Sequence, residues 1–317
     1  MIPEIPVRSV LSGSADGAIL DAATDTGFFT LSGVDAACNT GAPREILMRL
    51  FDAPEHIKRP LLRHKYDPTH RNVYRGYFLP EPEKDALLEG IDLGPDVADA
   101  TRAGDGRDPL TEPTPLPDLP GWAEAAGQYH KQMSQLGFAI ASALFRTLGA
   151  DPALADDLFG RGISTLRLFR YPEMDLRDVA PRRRLLGEPD RVLMTLPHTD
   201  SGFITLLWQD GIGGLQAEMT DGTWVDIPPA PDGLVVNFGQ MLGDWSDGRI
   251  KATKHRVLAG PSERISVPFF FEPAVDAVLS PLDPSSGAEP FIYGDFLWSR
   301  MVNFPNFHGV VRQAVSS

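Results

Sequence analysis

From about residue 160 onward the chain reads as a succession of short extended runs with no helical pattern between them. "ISTLRLFRY", "FITLLW", "TWVDI", "GLVVNF", "KHRVLA" and "RISVPFFF" are separated by Asp210-Gly211, Gly213-Gly214, Asp221-Gly222, Asp232-Gly233 and Asp247-Gly248. β-Branched and aromatic residues fit a pleated chain, and Asp-Gly or Gly-Gly pairs supply the backbone angles of tight turns. Strands following one another this closely bury their apolar sides by stacking as two sheets or closing into a barrel. A double-sheet jelly roll or barrel is therefore the expected core.

The first half is organised differently. "DGAILDAATDT" and "APREILMRLFDAPEHIKRPLL" have apolar residues at helical spacing, and "GFFTLSG" lies between them as a short strand. Residues 80–120, with "GDGRDPLTEPTPLPDLPG", are rich in Pro, Gly and Asp and read as a long surface excursion. The clearest helix follows. Trp122, Ala126, Tyr129, Met133, Leu136, Ile140, Leu144 and Leu148 form one stripe, which predicts a long helix packed across a sheet. The natural division is an N-terminal helix and strand region over 1–120 and a core with its supporting helix over 121–317, expected to form one integrated unit.

At 317 residues with 42% hydrophobic content the chain can bury a sizeable core. A net charge of −14 argues against nucleic acid, whose phosphates are held mainly by Lys and Arg. No apolar run approaches the roughly 20 residues that span a bilayer, and the start "MIPEIPVRSVLSG" lacks the basic flank and apolar block of a secretory signal. A cytoplasmic protein without membrane partners is expected. Cys38, the single cysteine, has no partner for an internal disulfide.

The chemistry begins in "LPHTDSGFITLLW". On an extended chain His198 and Asp200 share a face, and an imidazole beside a carboxylate is two-thirds of a metal-binding triad. His255, in "IKATKHRVLAG", could complete a two-histidine, one-carboxylate set, the arrangement that leaves coordination positions of a non-haem Fe(II) open. Arg264 and Ser266 lie on one face of the next strand with Phe270. A guanidinium buried there needs an anionic partner, either a ligand carboxylate or a distant acid.

These segments resemble the isopenicillin N synthase-like branch of the Fe(II)/2-oxoglutarate-dependent oxygenases. H-T-D, the distal H-R-V and R-x-S before "PFFFEP" carry the likeness. "DTGFFTLSG", "VYRGYF", "LRLFRYP" and "GDFLWSRM" extend it over nearly the whole chain. The resemblance implies a mixed α/β fold with a double-stranded β-helix (jelly-roll) core flanked by helices, one of them long and packed on the major sheet. It implies that His198, Asp200 and His255 hold Fe(II) as the catalytic metal ligands, and that Arg264, Ser266 and Tyr171 bind 2-oxoglutarate. Phe270 and, more loosely, Tyr77 match pocket-lining positions. Two departures stand out: Phe169 where plant members often have Asn, and Gln240 where an acidic residue is usual, read as structural.

The activity so implied is decarboxylation of 2-oxoglutarate with O2, coupled to oxidation of a small-molecule substrate. Hydroxylation is the default outcome, with desaturation or ring closure as others. A second reading is an oxidase or cyclase like isopenicillin N synthase, whose matching Arg and Ser bind the substrate's own carboxylate and which consumes no 2-oxoglutarate. A third is a catalytically silent metal-binding jelly roll. The arginine-rich "APRRRLLGEPDR" reads as a solvated loop, with the sharper alternative that Arg182, Arg183 or Arg184 clamps an anionic substrate. His56, His64, His70, His130 and His308 have no ligand-like companions.

Overall fold

The structure is a computed structural model describing residues 2–82, 86–104, 108–151, 153–173, 179–260, 262–282, 289–304 and 308–312. The strands of its two main sheets are β1 (Glu4–Pro6), β2 (Phe28–Ser32), β3 (Gly76–Phe78), β4 (Glu89–Leu93), β5 (Thr165–Tyr171), β6 (Arg184–Leu185), β7 (Glu188–His198), β8 (Ile204–Gln209), β9 (Leu215–Glu218), β10 (Trp224–Asp226), β11 (Leu234–Phe238), β12 (His255–Leu258) and β13 (Arg264–Phe271). They form a major sheet in the order β1-β2-β11-β8-β13-β5-β4-β3 and a minor sheet in the order β10-β9-β12-β7-β6. All neighbours pair antiparallel except β1 and β2. This is the jelly roll expected from the strand succession.

Alternation along the major sheet separates packing from chemistry. Leu166 and Leu168 on β5, Ile204 and Leu206 on β8, Val236 and Phe238 on β11, and Val267, Phe269 and Phe271 on β13 join one large apolar cluster with the helices. The intervening residues face the minor sheet. Among them are Arg167, Phe169 and Tyr171, Thr205 and Gln209, Asn237, and Arg264, Ser266 and Phe270. A period of two makes this sorting unavoidable once one face is covered. Phe28, Tyr171, Val192, Met194, Leu215, Ala217, Val235 and Val257 form the smaller apolar cluster between the sheets.

The long helix spans Trp122–Leu148 and lies against β8 and β13. The predicted stripe is buried from Trp122 to Leu144, while Leu148 is half-buried at the end. Gly149 stops the helix with φ +77°, a left-handed conformation that glycine adopts without the usual steric cost. His130 is buried in this helix, where its Nε2 donates to the Ser164 carbonyl at 3.2 Å. Burial pushes its pKa down to about 4. No helix among the described residues is long and apolar enough to cross a membrane.

Two expectations need correction. The run from Ala42 to Leu62 is not one helix: it divides into Gly41–Met48 and Glu55–Lys58, with Pro54, which lacks an N–H, in extended conformation before the second. The excursion over 80–120 contains β4, a fully buried strand. Residues 83–85 and 105–107 of that stretch lie outside the described residues. The acids that disguised β4 are matched across the sheet: Glu89 stands opposite Arg170 and Asp92 opposite Arg167. Both pairs form ion pairs. Glu112, from the same excursion, accepts hydrogen bonds from the backbone N–H groups of Val73, Tyr74 and Arg75 at 2.9–3.0 Å, fastening it to the core.

Gly137 faces β13 so closely that a Cβ there would lie 2.5 Å from the Phe271 ring. Gly→Ala inside a helix ordinarily stabilises by about 1 kcal/mol. Here the overlap reverses the sign, and G137A is expected to lose about 1–3 kcal/mol in urea unfolding. His130 generates a pH prediction. Its folded pKa lies below the unfolded value near 6.5, so its contribution is complete at higher pH and is lost as pH falls toward 4. The loss of stability between pH 7 and pH 5 should shrink by about 2 kcal/mol in H130Q, measured by urea unfolding at both pH values.

Candidate active site

His198 closes β7 and His255 opens β12, and the antiparallel register sets them directly opposite each other. Their rings lie 4.3 Å apart between centroids. Asp200 comes from the turn after β7 rather than from the strand itself, so strand alternation does not account for its direction. Its position is set by hydrogen bonds. The Gln240 N–H donates to the Asp200 carbonyl at 2.7 Å, and Asp200 Oδ2 accepts from Thr205 Oγ1 at 2.5 Å and Asn237 Nδ2 at 2.7 Å. That leaves Oδ1 facing the imidazoles, 3.7 Å from His198 Nε2 and 3.6 Å from His255 Nε2.

Each histidine is oriented through its other nitrogen. His198 Nδ1 lies 2.9 Å from the Leu196 carbonyl and His255 Nδ1 lies 3.2 Å from the Thr253 carbonyl. A carbonyl only accepts, so Nδ1 carries the proton and Nε2 keeps the lone pair a metal needs. Burial, and then the neighbouring His255, push the His198 pKa down to about 4. Burial alone would raise Asp200, but the two imidazoles and the Thr205 and Asn237 hydrogen bonds outweigh it and hold the carboxyl below its usual range. At neutral pH His198 is therefore neutral and Asp200 ionised, the forms that ligate a divalent ion. The three donor atoms lie within 4.8 Å of one another, the only such group of three among the described residues.

Arg264 and Ser266 are buried on the inner face of β13, with Tyr171 opposite Arg264 and Phe169 opposite Ser266. Arg264 Cζ lies 4.5 Å from the Tyr171 ring centroid. Its Nη2 donates to Gln209 Oε1 at 2.9 Å. No acid among the described residues pairs with it, and its Nε and Nη1, like Gln209 Nε2, are buried without a hydrogen-bond partner. Such unspent donors suit a carboxylate, which accepts a forked pair of charge-assisted bonds. Gln209, Thr205 and Asn237 went unread in the sequence. The signal available was a polar side chain on the inner face of a largely apolar strand, Thr205 and Gln209 on β8 and Asn237 on β11.

Beside His198 and Asp200 lies a cavity of about 410 Å³. His198, Asp200, Phe169 and Phe270 line it together with Leu87, Leu88, Leu110, Met194 and Phe304. Arg264, Ser266 and Tyr171 do not form its wall. They adjoin it at Phe169, whose ring lies 6.0 Å from that of Tyr171. Tyr77 belongs elsewhere: it stands opposite Ile91, on the helix side of the sheet, and borders a separate hollow. Alternation brings Phe78 to the inner face instead, 6.1 Å from Phe169. Of the loop arginines, Arg182 is exposed and Arg184 half-buried. Arg183 is buried in the cavity wall, and its Nη1 donates to the carbonyls of Leu193 and Met194 at 2.7 and 2.8 Å.

Residues 164–273 match the 2OG-Fe(II) oxygenase superfamily. The chain is 30% identical to isopenicillin N synthase of Penicillium chrysogenum, over 92% of its own length and 90% of that protein's. It belongs to the 2OG-Fe(II) oxygenase superfamily. A second relative in the superfamily is the 2-oxoglutarate-Fe(II) type oxidoreductase hxnY of Emericella nidulans, 30% identical over 80% of this chain and 72% of that protein. Among solved structures, a full-length Neurospora crassa protein in complex with alpha-KG and 5-formyluracil superposes with a TM-score of 0.77 and 26% identity, covering 95% of each chain. This superfamily member is an Fe(II)/2-oxoglutarate-dependent dioxygenase.

The residues fit both groups. Two Nε2 atoms and one carboxylate oxygen converge for iron, and the unpartnered Arg264 donors suit the distal carboxylate of 2-oxoglutarate. Asn237 and Thr205 hold Asp200 without reaching toward the histidines. N237L and T205V are expected to lower Fe(II) affinity about 10–100-fold with the fold retained, as measured by competition with a chelator of known affinity.

Proposed function

We infer that the protein hydroxylates a C–H bond of a small molecule held in the cavity beside His198 and Asp200. The observation that carries this is the cavity itself: about 410 Å³, walled mostly by aliphatic and aromatic side chains, with two of the metal ligands in its lining. Iron(II) with 2-oxoglutarate and O2 supplies the oxidising chemistry, releasing succinate and CO2. The chain's own share is positioning. His198, His255 and Asp200 would hold the metal, and the cavity lined by His198 and Asp200 would place the substrate beside it. Arg264, with Gln209, Ser266 and Tyr171 beside it, holds the cosubstrate's carboxylate. Leu87, Leu88, Phe270 and Phe304 exclude water and restrict the substrate's orientation, which is worth much of a rate enhancement when reacting atoms must meet. The small-molecule assignment is also supported by the Neurospora crassa neighbour, solved with 5-formyluracil.

The likeness to isopenicillin N synthase keeps one rival distinct, in which Arg264 grips a substrate carboxylate and no oxo-acid is consumed. Anaerobically reconstituted protein, given Fe(II), 2-oxoglutarate, O2 and a broad panel of small molecules, should release succinate in step with oxygen uptake when a substrate is present. A reaction running at full rate without 2-oxoglutarate would replace this reading with the oxidase. R264A should raise the KM for 2-oxoglutarate about thirtyfold or more, since a lost charge-assisted pair costs roughly 2 kcal/mol at least. Iron affinity in R264A should stay unchanged.

A further inference from the structure

Glu272 is the unexplained group in the cavity wall. It follows β13 on the inner face, two residues beyond Phe270, and is 5% exposed. Its backbone N–H donates to Ser164 Oγ at 3.1 Å, which fixes the main chain there. Oε2 is buried with no hydrogen-bond partner, and no cation among the described residues forms an ion pair with the carboxyl. Oε1 packs against Gly202, two residues past Asp200, so tightly that a Cβ at Gly202 would overlap it. The carboxyl is thus held beside the metal-binding turn, with one oxygen still unspent.

An apolar site containing one unsatisfied polar atom selects for a ligand that satisfies it, because leaving the atom unpaired costs about 1–3 kcal/mol. The other charged groups in the wall are already engaged: Arg167 pairs with Asp92, and Arg183 bonds the carbonyls of β7. An unsatisfied carboxyl oxygen accepts, so the group that matches it is a hydrogen-bond donor, and a carboxylate, which only accepts, offers none.

We propose that Glu272 is a specificity-determining residue, whose Oε2 accepts a hydrogen bond from a hydroxyl, amide or ammonium group of an otherwise apolar substrate and so orients it beside the iron ligands. This rests on the oxygenase reading above. It adds a selection rule to that reading: the substrate carries a hydrogen-bond donor at the Glu272 end and hydrocarbon elsewhere.

The test uses anaerobic protein loaded with Fe(II) and 2-oxoglutarate, whose visible charge-transfer band reports a molecule entering beside the metal. The probes are toluene, benzyl alcohol, benzamide, benzoate and benzylamine, which share one ring and differ in polar group. Wild type should bind at least one of benzyl alcohol, benzamide and benzylamine about tenfold more tightly than toluene or benzoate, the factor expected for one hydrogen bond that satisfies a buried atom. E272Q, which keeps hydrogen-bonding capacity and shape, should retain the preference, and E272L should lose it while binding toluene at least as well. Equal affinity of wild type for toluene and all three donor probes, preference for benzoate, or a preference surviving in E272L would each overturn the proposal. The wild-type and E272Q comparisons decide the matter even if E272L does not fold. If the charge-transfer band does not form at all, it is the oxygenase reading that fails.

Discussion

The antiparallel register of β7 and β12 places His198 and His255 face to face, and the chemistry of the molecule depends on that pairing. A one-residue slip would turn every side chain of one strand to the other face of the sheet and separate the imidazoles. Register here is held on both sides: β12 lies between β9 and β7, and Val257, Leu215 and Val192 pack into the inter-sheet cluster. The third ligand reaches the pair from a turn, yet its support comes from the opposite sheet. Thr205 on β8 and Asn237 on β11 hold Oδ2 of Asp200. The carboxylate is thus where the major sheet fastens onto histidines carried by the minor one.

Buried charge follows a second rule. Asp92 is fully buried and is met by Arg167 and Arg63, and Arg75 pairs with Asp96 and donates to two main-chain carbonyls, although its Nε has no partner. These groups are matched within the chain because an unpaired buried charge is far costlier than a paired one. Arg264 departs from the pattern. Only Nη2 has a protein partner, and that partner is the neutral amide of Gln209. A sheet that neutralises its other buried cations and leaves this guanidinium partly unspent is arranged for an external anion.

The jelly-roll core was legible because its strands are short, apolar on alternate residues and bounded by Gly-containing turns. The metal residues were legible because histidines are few and two of them stand beside strand-like runs. β4 was not, since Glu89, Gly90 and Asp92 look like loop residues until Arg170 and Arg167 are seen across the ladder, a pairing between segments about 80 positions apart. Tyr77 was misplaced for a related reason. Which of Tyr77 and Phe78 faces inward depends on the register against β4, which the sequence alone does not show. Gln209 and Asn237 were passed over because a polar residue inside a strand acquires meaning only from the residue it meets.

The substitution at Phe169 shows how the two halves of the site depend on each other. An amide at this position could have met the cosubstrate, whereas Phe169 places a ring between Tyr171 on one side and Phe78 on the other, T-shaped to both. Edge-to-face rings pack rigidly and carry no donor toward either neighbour. The polar contacts available to a bound carboxylate therefore contract onto Arg264, Gln209, Ser266 and Tyr171, while the same ring becomes hydrocarbon wall for the cavity. Removing a polar group from the shared boundary makes the cavity drier at its β5 side, and the unsatisfied oxygen of Glu272 stands out the more sharply against that apolar lining.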